Sequence, residues 1–529
     1  MNAASLAGAL LMLLQAAETT VVPADRLRLA GPGRATEGGG WNLWSNGATG
    51  DWFEAAQDGE VEMTAAAAGS ACQGVWTLAR WWLRTESGED PVGPPFSVSS
   101  ADFKDYAAKA RIRKGRFAVL IEFLNDASAG KEDRNLHLRE IRVRGARLLE
   151  KIPTVRESCD AAIRQHRMGK LTVLTAPGAA VKVTMLRHEF LFGTAIAHQL
   201  WNAAPEVKEK YLRTLKENFN HAVHENALKW YHTEREPGRA SFADAERVLS
   251  WCEENGIPMR GHCVYWGIEQ FVNPWVKKLD DAALRAALEK RGKEVGTRFK
   301  GRIREYDLNN EMIHGDWYAK RLGPGITREM FQWVKAADPG AVLYVNDYNI
   351  MSGSETLKYV DHIKSLLDQG VPVGGIGDQG HFGGGRVDGW HVRASLDHLA
   401  RFKLPVKITE FDVNSPDDQR RVETLETVYR VAFAHPAVEG ILMWGFWEGA
   451  HWRPAAAPWR RDFTPKPDAE AYRNLVFKEW WTSFEGRADA AGKCEVPAFF
   501  GRHAVESGGR RVEVDLRKAE GKATVKAGP

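Results

Sequence analysis

Two glutamates of the sequence stand where short apolar runs end, a position suited to catalysis. Glu311 closely follows the run Ile303–Leu308, and Glu410 directly follows Val406–Thr409. Two facing carboxyl groups can break a glycosidic bond, because one protonates the leaving oxygen and the other meets the positive charge that develops at the anomeric carbon. A single glutamate at the end of a strand is more often an ion-pair partner, so the interpretation depends on its neighbours.

Five of the other six apolar runs are also followed by polar or aromatic residues, and further polar residues stand beside the two glutamates. Amides, imidazoles and indoles dominate this set, which suits a hydroxyl-rich ligand whose apolar ring faces can stack on aromatic planes. His262 and His381 lack a third ligand at zinc-type spacing, so metal catalysis is not expected. The residues concerned are Glu225, Asn226, Lys229, His262, Trp266, Asn310, Gln379, His381, Asp412, Trp444 and Trp452.

Eight apolar runs alternate with helical stretches between residues 190 and 485. This alternation predicts an α/β fold, a (β/α)₈ TIM barrel of parallel strands. The carboxyl ends of all eight strands converge on one face of such a barrel, and strands 4 and 7 lie on opposite sides of it. Glu311 and Glu410 should therefore face one another. The runs are Phe190–Thr194, His221–Val223, Met259–Val264, Ile303–Leu308, Val342–Val345, Gly374–Ile376, Val406–Thr409 and Gly440–Trp444.

Residues 190–485 resemble the endo-1,4-β-xylanases of glycoside hydrolase family 10 over the whole predicted barrel. The resemblance rests on ordered motifs: Phe192-Gly-Thr-Ala-Ile, Glu225-Asn-x-x-Lys229-Trp, Arg260-Gly-His262, Asn310-Glu311-Met, Asn346-Asp-Tyr-Asn, Gly375-Ile-Gly-x-Gln379-Gly-His381, Ile408-Thr-Glu410-x-Asp412 and Trp444-Gly.

The resemblance implies a role for each of these residues. Glu311 would be the acid/base and Glu410 the nucleophile of a reaction that retains anomeric configuration, without a catalytic cofactor. His381 and Asp412 would orient Glu410 and keep it ionised. Xylan and xylo-oligosaccharides would be held by Glu225, Asn226, Lys229, His262, Trp266, Asn310, Gln379, Trp444 and Trp452.

Three alternatives to a xylanase stay open at this point. The barrel could belong to a related β-1,4-glycanase or to an aryl-xylosidase with altered subsites. It could also be a non-catalytic glycan-binding protein. Loss of either glutamate would have favoured that interpretation, but both glutamates are present. The sequence departs from the family pattern at Asn309, in the stretch Gly267–Phe271 and at Glu448, which affects the expected subsites.

Residues 26–146 predict a separate β-sandwich, since short alternating strands are divided by frequent glycine and proline. Trp41–Gly47 and Asn125–Leu136 resemble the calcium-dependent xylan-binding modules of carbohydrate-binding families 36 and 60. Asp126 and Asp133 are then the expected calcium ligands, with Glu132 beside them, because Ca²⁺ prefers carboxylate oxygens. An acidic turn that caps a strand is the alternative.

Residues 1–24 predict a signal peptide, because the short apolar run Leu6–Leu14 is followed by small and polar residues. The expected location is therefore secreted or periplasmic. The net charge of +3 shows no basic patch for nucleic acid, and the apolar run is too short to span a membrane. No obligate protein partner is inferred.

Short segments flank the predicted barrel on both sides. Residues 147–189 predict a linker helix followed by a hairpin of Lys170–Leu174 and Val181–Met185, and residues 486–529 predict a β tail. Lone strand pairs are marginal in water, so we expect residues 168–188 and 494–527 to form one small antiparallel β-domain. A disordered tail is the alternative.

Overall fold

The structure is a computed structural model that describes residues 19–29, 31–86 and 88–528. It divides into two compact units between Thr154 and Val155. The signal peptide predicted over residues 1–24 lies mainly outside the described residues.

The first unit consists of antiparallel strands. They are β1 (Thr19–Pro23), β2 (Arg34–Ala35), β3 (Trp41–Leu43), β4 (Gly47–Ala55), β5 (Gly59–Gly69), β6 (Ala71–Cys72), β7 (Val75–Thr85), β8 (Gly88–Val98), β9 (Lys104–Ile112), β10 (Gly115–Phe123), β11 (Ser128–Ala129), β12 (Glu132–Asp133), β13 (Leu136–Arg144) and β14 (Arg147–Leu148).

Two six-stranded sheets face one another in this unit. One has the order β2-β3-β13-β5-β9 with β1 on β13, and the other has the order β14-β4-β10-β7-β6 with β8 on β7. Strand β13 alternates buried and more exposed residues along most of its length, as a strand with one face on a core should. Met63, Trp81 and Phe117 of the two sheets share one apolar core, which makes the unit a β-sandwich.

The sandwich extends beyond the predicted range 26–146 at both ends. Thr19–Pro23, which were included in the predicted signal peptide, pair with β13 instead. Arg147–Leu148 pair with β4. Both segments are too short to show clearly the alternation of apolar and polar residues that marks a strand. The range predicted for the sandwich therefore did not include them.

The second unit begins with helix α1 (Val155–Arg167) and strands β15 (Met168–Leu174) and β16 (Ala180–His188). A barrel sheet follows. Its strands are β17 (Leu191–Ile196), β18 (His221–His224), β19 (Met259–Gly261), β20 (Tyr265–Trp266), β21 (Glu305–Asn310), β22 (Val342–Asp347), β23 (Gly375–Asp378), β24 (His381–Phe382), β25 (Val406–Val413) and β26 (Val438–Met443).

Helices follow these strands along the chain. They are α2 (Pro205–Asn218), α3 (Trp230–Thr233), α4 (Ala243–Glu254), α5 (Asp281–Arg298), α6 (Trp317–Leu322), α7 (Gly325–Ala337), α8 (Thr356–Asp368), α9 (Gly389–Ala400), α10 (Asp418–Ala434) and α11 (Pro467–Asn474). Helix α7 buries Ile326, Met330, Phe331 and Val334, a helical spacing that puts one face on the barrel core.

Eight parallel strands close the barrel in the order β19-β18-β17-β26-β25-β23-β22-β21, with β21 pairing back to β19. Strands β18, β23 and β25 are buried along their whole length, because side chains fill the interior and helices cover the outside. The predicted fold class, a (β/α)₈ barrel with an N-terminal sandwich, is confirmed. None of the helices in the described residues has the length and apolar character needed to cross a membrane.

The segments on either side of the barrel pair through their backbones. The last strands are β27 (Ser483–Arg487), β28 (Lys493–Phe499), β29 (Gly501–Ser507), β30 (Arg510–Leu516) and β31 (Lys522–Lys526). One sheet has the order β28-β15-β31 and the other β27-β16-β29-β30. We call these two sheets the clasp. Leu171, Val183 and Val505 lie in its shared apolar core.

Two details of the predicted β-domain are wrong. Strands β15 and β16 do not form a hairpin, because each pairs with strands from the end of the chain in a different sheet. The domain is also not wholly antiparallel, since β31 runs parallel to β15.

Candidate active site

Glu311 and Glu410 are both at the carboxyl ends of barrel strands. Glu311 directly follows β21, and Glu410 lies in β25. The backbone of Glu311 has a positive φ of 65°, a conformation that is uncommon for a residue with a side chain and is concentrated at functional sites. Its amide donates to the carbonyl of Asn346 at 2.9 Å, which ties the turn to strand β22.

The carboxyl group of Glu311 is held by two neutral donors. Trp266 Nε1 donates to its Oε2 at 2.9 Å, and Gln379 Nε2 donates to its Oε1 at 2.9 Å. Burial raises the pKa of Glu311, the nearby Glu410 raises it further, and the bond from Gln379 opposes both. A carboxyl group in this setting retains its proton to a higher pH than an exposed glutamate does.

Glu410 is buried and has different neighbours. Asn346 Nδ2 donates to its Oε1 at 2.8 Å, and His381 Nε2 lies 3.4 Å from its Oε2. His262 Nδ1 is 3.8 Å from Oε1. The two glutamates thus differ in their partners, since only neutral donors bond to the carboxyl group of Glu311 in the described residues while an imidazole faces Glu410.

His381 links Glu410 to Asp412. Its Nδ1 lies 3.0 Å from Asp412 Oδ1. Burial lowers the pKa of His381, but Asp412 and Glu410 together outweigh burial and raise the pKa to about 9. Trp452 Nε1 donates to the other oxygen of Asp412 at 2.7 Å. The imidazole is therefore protonated near neutral pH and held between two carboxylates.

Asn346 joins the two sides of the site, a role that was not predicted from the sequence. Its Nδ2 also donates to Asn310 Oδ1 at 2.9 Å, and its Oδ1 accepts from Thr409 Oγ1 at 2.6 Å. These bonds fix its amide so that Nδ2 points at Glu410. The motif Asn346-Asp-Tyr-Asn identified this position in the sequence, but the spacing of the residues could not indicate the hydrogen bond from Asn346 to Glu410.

A buried ion pair of Arg260 and Asp307, which contacts His262, was also not predicted from the sequence. Asp307 Oδ2 lies 2.9 Å from His262 Nδ1, and the guanidinium of Arg260 contacts the same carboxylate. Burial favours the neutral form of Asp307, but Arg260 and His262 outweigh it and lower the pKa of the carboxyl. Asp307 therefore stays charged and fixes the ring of His262.

The predicted binding residues after β18 lie beside the tryptophans of the site. Lys229 Nζ donates to Asn226 Oδ1 at 3.0 Å and lies 4.7 Å from the ring centre of Trp266 and 5.7 Å from that of Trp444. Burial raises the pKa of Glu225 to about 7, against the effects of Lys229 and Asn226.

The tryptophans differ in exposure and support. Trp266 stacks on Phe271, with ring centres 3.7 Å apart, so the departure from the family pattern at Gly267–Phe271 supplies an aromatic backing. Trp444 is buried and meets His262 edge to face at 4.8 Å. Trp452 is 48% exposed and is covered on one side by Arg453. An exposed indole over a site of this kind can stack on a sugar ring.

A second aromatic pair at the barrel face was not predicted. His314 stacks on Tyr348 with ring centres 3.6 Å apart, and its Nδ1 lies 2.6 Å from Asp347 Oδ1. The two rings follow β21 and β22. Only their positions after strand ends could have indicated them.

The predicted calcium residues lie in the first unit. Burial raises the pKa of Asp126, and the carboxylate of Asp133 raises it further. Glu132 accepts from the amide of Gln73 at 2.6 Å, and Arg134 fixes the loop through the carbonyls of Asn125 and Cys72. Two carboxylates that repel one another on a braced loop fit a divalent cation with oxygen ligands.

Two carboxyl groups with different partners thus lie at the carboxyl face of a closed parallel barrel. Cleavage of a glycosidic bond needs two such groups. The chain belongs to glycosyl hydrolase family 10, whose sequence model matches residues 182–476. Residues 56–157 match the model described as a Ca-dependent carbohydrate-binding module, xylan-binding. The resemblance to family 10 and the resemblance to the xylan-binding modules of family 60 are thereby confirmed.

Curated relatives match part of the chain. Endo-1,4-beta-xylanase 3 of Arabidopsis thaliana is 42% identical over 275 residues, which are 51% of this chain and 35% of that protein. The anti-sigma-I factor RsgI6 of Acetivibrio thermocellus is 38% identical over 327 residues, which are 62% of this chain and 42% of that protein. The chain thus spans less than half of the length of these relatives.

Solved structures agree on the fold. Native xylanase 10B from Thermotoga maritima has 28% identity and a TM-score of 0.52, covering 55% of this chain and 96% of that one. Xylanase 10B from Thermotoga petrophila in complex with xylobiose has 29% identity and a TM-score of 0.51, covering 55% and 95%.

Proposed function

We propose that this chain is an endo-1,4-β-xylanase that cuts the xylan backbone with retention of anomeric configuration. The observation that carries the proposal is the contrast between the two glutamates. Burial raises the pKa of Glu311, whereas Glu410 faces a histidine whose own pKa is about 9. This is the division between acid and nucleophile that glycoside hydrolysis requires.

In the first step Glu311 gives its proton to the glycosidic oxygen as the bond from that oxygen to the anomeric carbon breaks. A carboxylate oxygen of Glu410 bonds to the anomeric carbon from the opposite face. The product is a covalent glycosyl ester, and the sugar released carries the proton of Glu311.

In the second step Glu311, now a carboxylate, removes a proton from a water molecule. The water oxygen bonds to the anomeric carbon, and the ester bond to Glu410 breaks. Two inversions return the original configuration, and Glu311 regains its proton. The same side chain thus serves as acid and then as base.

His381 and Asp412 act on this chemistry through Glu410. A protonated His381 places a positive charge beside Glu410 Oε2, and Asp412 and Trp452 hold the ring in place. Asn346 orients the other oxygen of Glu410. These residues are positioning residues, because they hold the nucleophile and need not touch the substrate.

Xylan is the proposed substrate because several observations agree on it. Glu225, Asn226 and Lys229 offer polar groups for sugar hydroxyls next to the indoles of Trp266 and Trp444. His262, Asn310, Gln379 and Trp452 complete the proposed binding set. Curated relatives that match part of this chain carry the name endo-1,4-beta-xylanase, and residues 56–157 match a xylan-binding module.

The first unit would hold the enzyme on its polymer. We assign Asp126 and Asp133 as the side chains that bind Ca²⁺, which would supply a positive centre for sugar hydroxyls. Calcium has no part in the proposed catalysis. A secreted or periplasmic location suits a polymer that cannot enter a cell, and cleavage before Thr19 would leave strand β1 in its sheet.

The experiment is release of reducing sugar from beechwood xylan, with cellulose as the control polymer and an aryl xyloside as a third substrate. Release from xylan but not from cellulose is expected. Release from cellulose would indicate a related β-1,4-glycanase, and cleavage of the aryl xyloside alone would indicate an aryl-xylosidase. Binding of xylan without any release would indicate a non-catalytic glycan-binding protein.

A further inference from the structure

Two histidines and an aspartate from three separate segments lie together at the barrel face, outside the proposed catalytic set. His198 belongs to a short 3₁₀ helix that follows β17, His232 lies in α3, and Asp244 lies in the first turn of α4. His232 Nε2 is 3.0 Å from Asp244 Oδ2, and His198 Nε2 is 3.9 Å from the same oxygen. The two imidazole ring centres are 4.5 Å apart.

We propose that His198, His232 and Asp244 form a binding site for Zn²⁺. One ligand atom from each residue lies within 4.8 Å of the other two. Zinc binds imidazole nitrogen and carboxylate oxygen at about 2.0–2.2 Å, which sets tetrahedral ligands about 3.4 Å apart. Small side-chain rotations would bring the three atoms to that spacing.

His198 Nε2 faces Asp244 without bonding to it. At 3.9 Å it is too far from Asp244 Oδ2 for a hydrogen bond. A cation between these two atoms could bind both.

Nearby positive charges should lower the affinity of this site for zinc. Arg247 lies 3.8 Å from Asp244 Oδ1, and Arg235 adds positive charge near His198. All three ligands are half-buried, so water can take the fourth position of a tetrahedral site. Two histidines and one carboxylate favour zinc over Ca²⁺ or Mg²⁺, which prefer sites built from oxygen alone.

Zinc at this site would hold the segment around His232 in place next to the proposed sugar-binding residues. The amide of His232 donates to the carbonyl of Lys229 at 2.9 Å. Zinc would therefore join the loops after the first two barrel strands close to Lys229, and it would stabilise the folded barrel by binding the native state alone.

The test is calorimetric titration of Zn²⁺ into the full chain, freed of metal by EDTA and then kept in excess Ca²⁺ so that the acidic loop of the first unit is occupied. The variants are His198→Gln and Asp244→Asn, which preserve side-chain shape. His166→Gln, at a half-buried histidine of α1, is the matched control. Thermal unfolding with and without zinc gives a second measurement.

We expect the wild type and the control to bind one more equivalent of zinc than either variant, or to bind it at least about tenfold more tightly. Zinc should raise their unfolding midpoints, and this shift should be lost in both variants. Zinc binding that is absent from the wild type, or equal in the wild type and Asp244→Asn, would overturn the proposal. Asp244→Asn decides the case if His198→Gln fails to fold.

Discussion

His381 lies between the two carboxylates of β25, with Nε2 3.4 Å from Glu410 Oε2 and Nδ1 3.0 Å from Asp412 Oδ1. Adjacent carboxylates in the folded barrel favour the imidazolium, so the pKa of His381 rises from 6.5 to about 9 although burial opposes it. The side chain of Glu410 thus lies beside a positive charge.

This relationship predicts a pH dependence of stability. A raised pKa in the folded state means that the stabilising contribution of His381 is complete below pH 6.5, declines above it, and is lost as pH passes about 9. Chemical unfolding of the wild type should show this decline, and His381→Gln should flatten it. His166→Gln serves as the control. An unchanged decline in His381→Gln would contradict the ion pair.

The two glutamates should respond differently to removal. Glu410→Ala should abolish hydrolysis of every substrate, because the covalent intermediate cannot form. Glu311→Ala should slow xylan hydrolysis by about 10²–10⁴-fold, yet an aryl xyloside with a good leaving group should lose less, since its departure needs little protonation. Initial rates on both substrates measure the difference.

The control for these variants is Glu254→Ala, an exposed glutamate at the end of α4. It should leave both rates unchanged. Equal losses on xylan and on the aryl xyloside in Glu311→Ala would contradict the acid/base assignment, even if Glu410→Ala is inactive.

Xylan binding by the first unit should depend on calcium through two side chains. Residues 19–154, which have their own apolar core, should bind insoluble xylan in Ca²⁺ and lose binding in excess EDTA. Asp126→Asn and Asp133→Asn should weaken binding in Ca²⁺, whereas the exposed control Asp102→Asn should not. Xylan binding that persists in EDTA would contradict the role of calcium, but it would still support xylan binding by the first unit.

The clasp should contribute measurably to the stability of the second unit. Leu171 is fully buried in the clasp core, so Leu171→Ala should lower the free energy of unfolding by about 2–5 kcal/mol. Leu186 is 38% exposed, and Leu186→Ala should change it by about 0.5 kcal/mol or less. Urea unfolding of the full chain measures both. Equal effects would mean that the clasp core is not part of the cooperative unit.

The barrel could be predicted from the sequence because its signal is local and repeated. Each buried strand is a short apolar run, and a polar residue follows it at the face where the strands end. Glu311 and Glu410 could thus be placed on one face without knowing a single contact. Helices such as α7 were predicted for the same reason, since they bury one face at a regular spacing.

Contacts between distant segments could not be predicted in this way. The alternation in β15 shows one apolar face, but it does not show that its partners are β28 and β31 at the far end of the chain. The bond from Asn346 to Glu410 and the cluster of His198, His232 and Asp244 depend on side-chain orientation across neighbouring strands and loops. Such orientation leaves no period in the sequence.

The central claim is that Glu410 forms a covalent bond to the sugar, and the anomer released first tests it most directly. Proton NMR during early hydrolysis of xylo-oligosaccharides distinguishes the two anomers before they interconvert. The account predicts that the β-anomer appears first, because two inversions retain the configuration. First appearance of the α-anomer would contradict it, since a single displacement by water would then be the reaction.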